Sequence, residues 1–168
     1  MEAGITPEAV RRAHVITVSD RASAGTMSDE SGPALVAALK HAGFEVTGPE
    51  VVSDSRERIS EGIIAAASGG ADIVVTTGGT GLGPRDVTPQ ATAALIDFEV
   101  PGIGEVMRRA GAASTPLAAL SRAMAGVRGR TLIINVPGSV KGATESLAAA
   151  MPLLDHAVQL LHGDTAHR

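Results

Sequence analysis

The chain contains no cysteine, no tryptophan and no tyrosine, and Phe44 and Phe98 are its only phenyl rings. Without cysteine there is no disulfide, no thiolate metal site and no thiol nucleophile, a composition that suits a reducing compartment. Without tryptophan or tyrosine a planar ligand has no aromatic cage, so backbone groups, aliphatic walls and polar contacts must hold it. Positive charge is also sparse: 14 Lys and Arg stand against 18 Asp and Glu, a net charge of −4. The basic residues are dispersed, adjacent only at Arg11-Arg12 and Arg108-Arg109, which argues against a nucleic-acid partner. No uncharged apolar run approaches the roughly 18 residues of a membrane span. Met1 to Ala13 carries charge early and lacks the apolar centre of a signal peptide. The expected location is the cytoplasm, with no membrane partner.

What remains is an ordinary globular composition, 44% hydrophobic and 19% charged over 168 residues. It predicts a single domain over residues 1–168 with a core at about 14–162 and frayed ends. Apolar, β-branched runs alternate with helical stripes. His14 to Ser19, Phe44 to Val52, Asp72 to Thr77 and Thr131 to Val136 read as strands. Ser31 is placed to cap a helix with Leu35, Val36, Leu39 and Ala42 on one face, and Gly43 stops it. Ile59, Ile63, Ile64 and Ala67 mark a second helix. Thr88-Pro89 reads as a cap and first turn of a third, lined by Ala91, Leu95 and Phe98. Ile103 to Ala110 reads as a further helix, Leu120 to Val127 is ambiguous, and the last helix carries Leu147, Met151, Leu154, Val158 and Leu161. This order predicts an α/β fold of three layers, a mostly parallel sheet with helices on both faces.

In such sheets ligands sit beyond the carboxyl ends of the strands. Four segments follow those ends: Ser19-Asp20-Arg21, Ser53-Asp54-Ser55, Thr77-Gly78-Gly79-Thr80 and Asn135-Val136-Pro137-Gly138-Ser139. The fold brings them to one edge, where acidic side chains, hydroxyls and glycine backbone together suit a phosphorylated ligand and a hard metal ion. Gly78, Gly79, Gly81 and Gly83 fall within six residues, either a tight strand-to-helix turn or a nest of amides for an anion. The loop is neither a P-loop, which needs Gly-Lys-Ser/Thr, nor a dinucleotide fingerprint, because Pro84 stands where glycine is required. Asp86 reads as an Asx turn or as a metal or phosphate ligand, and Asp54 as a helix cap or a metal ligand. Two carboxylates at one edge would suit Mg²⁺, which prefers oxygen ligands and bridges phosphates. Ser139 lacks the spacing of a nucleophile elbow, and the five histidines show no metal-ligand spacing.

The string from Thr76 through Thr77-Gly78-Gly79-Thr80-Gly81-Leu82-Gly83-Pro84-Arg85-Asp86-Val87-Thr88 to Pro89 closely resembles the signature of the Mog/MoaB family. These are the molybdopterin adenylyltransferases, shared with the G domains of gephyrin and plant Cnx proteins. Val18 to Ser23, Val52-Ser53-Asp54, Pro101 to Glu105 and Asn135 to Gly138 resemble further family segments in the same order, so the likeness spans about His14 to Leu161. The resemblance implies an enzyme that transfers AMP from Mg-ATP to the molybdopterin phosphate and releases pyrophosphate. It places the two key aspartates, catalytic and metal-binding, at Asp54 and Asp86. It places the substrates against Ser19, Asp20, Arg21, Thr77, Gly78, Gly79, Thr80, Gly81, Asn135, Pro137, Gly138 and Ser139. Mg²⁺ as cofactor, a homotrimer and a molybdate-insertion protein as downstream partner are implied in the same way. The alternative from another class is a pterin carrier of the MoaB type that transfers nothing.

Overall fold

The computed structural model describes residues 10–164, and the expectations made for the first nine and last four residues lie outside them. The elements run β1 (Arg12–Val18), α1 (Asp20–Ser23), α2 (Ser31–His41), β2 (Glu45–Val52), α3 (Arg56–Ser68) and β3 (Ile73–Thr77). They continue through α4 (Thr88–Ala93), β4 (Phe98–Glu99), α5 (Pro101–Ala112), a 3-10 turn (Pro116–Leu120), β5 (Ala125–Arg128), β6 (Thr131–Val136) and α6 (Val140–Leu161). One six-stranded sheet has the order β2-β1-β3-β6-β5-β4. Its first four strands are parallel, and β5 and β4 add antiparallel at the far edge.

Alternation along the central strands sorts their side chains to two faces. Val15, Ile73, Val75, Leu132 and Ile134 pack with Leu35 and Leu39 of α2, Met107 of α5 and Leu147 and Leu154 of α6. Ile16, Val74 and Ile133 pack on the other face with Ile59 and Ile63 of α3 and Ala91 of α4. Burying each such aliphatic side chain is worth about 1.5–3 kcal/mol, so the β-branched runs that are apolar on both faces become the sheet centre. Every residue of β3 and β6 is buried. The outcome is the expected three-layer α/β arrangement with a mostly parallel sheet. Among the described residues no helix is long and apolar enough to cross a membrane.

Local differences from the sequence reading follow from competition for the same groups. Ser31 begins α2 without capping it; the carboxylate of Asp29 accepts the Gly32 N–H instead, at 3.0 Å. Thr88 is buried, its hydroxyl donating to the Gly78 carbonyl at 2.9 Å, and α4 starts without a side-chain cap. That helix ends at Ala93, so Phe98 does not line it: Phe98 enters a two-residue edge strand and stays exposed. The ambiguous stretch before Arg128 resolves into the end of the 3-10 turn and β5, which joins β6 through a hairpin at Gly129.

Candidate functional site

The parallel strands β1, β2, β3 and β6 all end at one edge, and the four expected segments hang from those ends. Two adjoining clefts form there. The larger, about 920 Å³, is lined by Ser19, Asp20, Arg21, Asp54, Thr77, Gly78, Gly79, Gly138 and Ser139, and by Met27 to Ser31 ahead of α2. The second, about 680 Å³, is lined by Gly79, Thr80, Gly81, Asp86, Pro137, Gly138 and Ser139 on one side. Its other walls come from α5, the 3-10 turn and α6, with Met107, Leu117, Ala118, Leu120, Arg108 and Glu145 among them. The clefts share Gly79, Gly138 and Ser139. Eleven of the twelve expected substrate contacts thus line one cleft or both. Asn135 lines neither: its side chain is fully buried and donates to Thr76 Oγ1 at 2.9 Å.

The shared floor is held by backbone in conformations that need glycine. Gly78 has φ +104°, and a Cβ there would lie 2.3 Å from the Val18 carbonyl oxygen. Gly138 approaches so closely that its Cβ would meet Gly78 Cα at 3.2 Å. Thr88 clasps this turn twice, its hydroxyl on Gly78 and its N–H donating to the Gly79 carbonyl at 3.1 Å. Thr77 Oγ1 donates to the Pro137 carbonyl at 2.8 Å, tying the two strand exits together. The N–H groups of Gly79, Thr80, Gly81 and Gly138 have no acceptor among the described residues. Unpaired main-chain donors gathered on a glycine turn are what an anion nest requires.

The two aspartates occupy different settings. Ser55 caps α3, which frees Asp54 from the capping role its position suggested. Asp54 Oδ2 accepts the Asp20 N–H at 2.7 Å, and Asp20 Oδ1 accepts the Asp54 N–H at 2.9 Å. The residue hydrogen-bonded to Asp54 is therefore Asp20, while Asp86 acts on it through its charge alone. Burial pushes the Asp54 carboxyl above its ordinary range and the charge of Asp20 adds to this, while the Asp20 N–H and Arg85 oppose it. Arg85 binds Asp20 Oδ2 through Nε at 3.0 Å and Nη2 at 2.7 Å, and this pairing holds Asp20 below the usual carboxylate range. Asp86 turns back into its own loop, Oδ2 accepting the Gly83 N–H at 2.8 Å, and lines the second cleft. Gly81 and Gly83 leave room for it: a Cβ on either would stand 2.8 Å from Asp86 Oδ2.

Sequence reasoning missed two arginines here. Arg85 reaches Asp20 across 65 residues. Arg122 fastens the glycine loop from outside: Nε donates to the Gly81 carbonyl at 2.8 Å, Nη2 to the Asp86 carbonyl at 2.6 Å, and its own N–H to Thr80 at 2.9 Å. Neither pairing leaves a local signal, since each joins segments separated by a helix or more. Among the described residues no group of three or more His, Cys, Asp or Glu is placed to hold a metal ion.

Residues 14–156 match the family described as "Probable molybdopterin binding domain". The chain belongs to this family. A relative, the "Molybdopterin adenylyltransferase" of Helicobacter pylori, is 40% identical over 156 residues, covering 89% of this chain and 87% of that one. The "Molybdenum cofactor biosynthesis bifunctional protein" of Synechococcus elongatus is 40% identical over 151 residues, 90% of this chain, which spans only 47% of that relative. Among solved structures, the molybdopterin biosynthesis enzyme MoaB of Thermus thermophilus superposes with a TM-score of 0.86 at 48% identity, covering 92% of this chain and 98% of that one. The family assignment made on the Thr76–Pro89 string is thereby established, and the molybdopterin-binding fold with it.

Proposed function

We propose that the chain is a molybdopterin adenylyltransferase, moving AMP from ATP to the phosphate of molybdopterin in the synthesis of the molybdenum cofactor. The observation that supports this best is the pair of clefts with a common floor at Gly79, Gly138 and Ser139. Two ligands in adjoining clefts meet at that floor, which is the arrangement a transfer between two phosphates needs. A pterin carrier needs one cleft.

In this reading an oxygen of the pterin phosphate attacks the α-phosphorus of ATP. A new P–O bond forms as the bond from the α-phosphorus to the bridging oxygen breaks, and the electron pair leaves with pyrophosphate. The nucleophile belongs to the substrate, so the protein needs no serine, cysteine or histidine. Its task is to hold two anions in line: at about 4 Å and an effective dielectric near 20, each pair of like unit charges repels by about 4 kcal/mol. The unpaired N–H groups of Gly79, Thr80, Gly81 and Gly138 offer fixed dipoles against that charge.

The donors present fit Mg²⁺. Asp54 Oδ1 and Asp86 Oδ1 have no hydrogen-bond donor among the described residues, and hard oxygens in small number are what this ion takes alongside phosphates and water. Bound there it would supply charge neutralisation and a template for in-line approach. Asp20 is then a positioning residue, fixing Asp54 through the reciprocal main-chain bonds. Arg85 in turn holds Asp20 as its ion-pair partner.

The test is incubation of the protein with molybdopterin, ATP and Mg²⁺, following adenylylated pterin and pyrophosphate. Formation of both in equal amounts is expected. Pterin binding without AMP transfer would replace the enzyme by the carrier. The same reading carries a homotrimer, checked by mass in solution, and delivery of the product to a molybdate-insertion protein.

A further inference from the structure

The second cleft contains a carboxylate that the transfer chemistry leaves without a task. Glu145 projects from the first turns of α6, with 31% of its side chain exposed, into a cleft whose lining joins the apolar Met107, Leu117, Ala118 and Leu120 to the polar Arg108, Thr115 and Lys141. Its Oε1 accepts the hydroxyl of Ser114 at 2.8 Å, and Lys141 Nζ stands 3.9 Å from the same oxygen. Oε2 has no donor among the described residues. A carboxylate offers about four lone-pair positions, so Oε2 retains both of its own and Oε1 retains one. Ser114 follows the end of α5, so the carboxylate is fastened to a second element that lines the cleft.

We infer that Glu145 is the specificity-determining residue for the pterin, reading the 2-amino-4-oxopyrimidine edge of its ring within the second cleft. This rests on the adenylyltransferase reading for the identity of the two substrates. The argument is one of donor and acceptor pattern. The pterin edge presents two adjacent donors, the ring N3–H and the exocyclic 2-NH₂. A carboxylate presents two adjacent acceptors, and the match is a pair of charge-assisted hydrogen bonds. Adenine presents a donor, the 6-NH₂, beside an acceptor, the ring N1. Against Glu145 it forms one bond and sets a nitrogen lone pair against an anionic oxygen. The apolar part of the lining accepts either flat ring and the basic side chains there are donors only, so the paired acceptors of Glu145 make the choice. The nucleotide is thereby assigned to the larger cleft, along Ser19 to Ala22 and Met27 to Ser31.

The experiment measures binding, so it is independent of turnover. Wild-type protein, Glu145→Gln and Ser114→Ala are titrated with 6-hydroxymethylpterin phosphate and, separately, with ATP. Glutamine keeps the size of glutamate but replaces one acceptor by a donor. The pterin phosphate should bind Glu145→Gln about 10- to 100-fold more weakly, with ATP affinity within about twofold of wild type. Ser114→Ala, which only unfastens the carboxylate, should lose about threefold. The decisive arm is a pterin phosphate lacking the 2-amino group. Wild type should bind it more weakly than the parent, whereas Glu145→Gln, which keeps a single acceptor, should show a clearly smaller difference between the two. Additive losses, unchanged pterin affinity in a folded Glu145→Gln, or a loss confined to ATP would each overturn the assignment. So would failure of wild type to bind the pterin phosphate at all. If wild type binds it through Glu145 yet transfers no AMP, the adenylyltransferase reading falls and the pterin assignment stands.

Discussion

Replacing Asp54 by asparagine should separate folding from function in this molecule. Asparagine keeps an oxygen for the Asp20 N–H now bound at 2.7 Å, and its own N–H still reaches Asp20 Oδ1. Exchanging a charged for a neutral acceptor costs about 1 kcal/mol. Against this, the variant no longer holds an anion that burial disfavours and that faces a second carboxylate. Because the side chain is partly solvated, screening limits that gain to on the order of 1–2 kcal/mol. The balance is a stabilisation of about 0–1 kcal/mol, or a Tm higher by about 0–4 °C for a chain of this length. The sign with pH is fixed by linkage. The folded state holds the Asp54 proton more tightly than the unfolded chain, so the anion's penalty is absent when both states are protonated. It develops as pH rises through the ordinary carboxylate range and is complete above the raised native value. Wild type and Asp54→Asn should therefore melt together near the acid limit and diverge in the variant's favour toward neutral pH. AMP transfer at neutral pH should fall by about 100- to 1000-fold. Thermal melts by circular dichroism across the acid-to-neutral range, with pyrophosphate release on the same samples, make the measurement. A Tm lowered by more than about 4 °C at neutral pH would refute the reasoning, since it would make Asp54 a structural brace. Undiminished transfer would refute the functional half.

Two further substitutions probe the glycine loop. Arg122→Ala removes two charge-assisted bonds to the Gly81 and Asp86 carbonyls, and the amides of residues 80–86 should exchange hydrogen faster with transfer reduced. Arg122→Lys, which keeps the charge but not the fork, should recover less than half of that loss, and full recovery would show that charge alone suffices. Gly78→Ala forces a Cβ to 2.3 Å from the Val18 carbonyl at φ +104°, so a cost on the order of 3 kcal/mol and a Tm drop of about 6–12 °C are expected in differential scanning calorimetry. A drop under about 2 °C would mean that the turn can relax without cost.

The layers were legible in the sequence because burial on both faces demands uninterrupted β-branched runs, and Val74-Val75 and Ile133-Ile134 could hardly be anything else. The gathering of four strand exits followed from parallel topology alone. Competition for hydrogen-bonding groups was not legible. Asp54 and Ser55 are adjacent and both able to cap α3; Ser55 took the cap, and the bond between Asp54 and Asp20 used what was left. Thr88 looked like a helix cap but donates into the glycine turn, because a buried hydroxyl takes the nearest free carbonyl. Asn135 was grouped with the site by its position near a strand end, yet alternation turns it toward Thr76 in the core. The arginine clasps depend on distances in space that no spacing in the chain encodes.

The floor at Gly79 and Gly138 carries one further consequence, for how such a protein can change over time. Where the two clefts meet, Gly79 and Gly138 offer bare peptide, and the one side chain there, Ser139, is committed to capping α6, so the shape is set by turns that tolerate little else. The walls, by contrast, belong to separate elements: α2 and its approach on one side, α5, the 3-10 turn and α6 on the other. In the proposed transfer reaction, substitution in either wall would retune one substrate without disturbing the other or the place where they touch. A fixed hinge point between two independently adjustable grips is a template from which new pairs of reactants can be recruited one partner at a time.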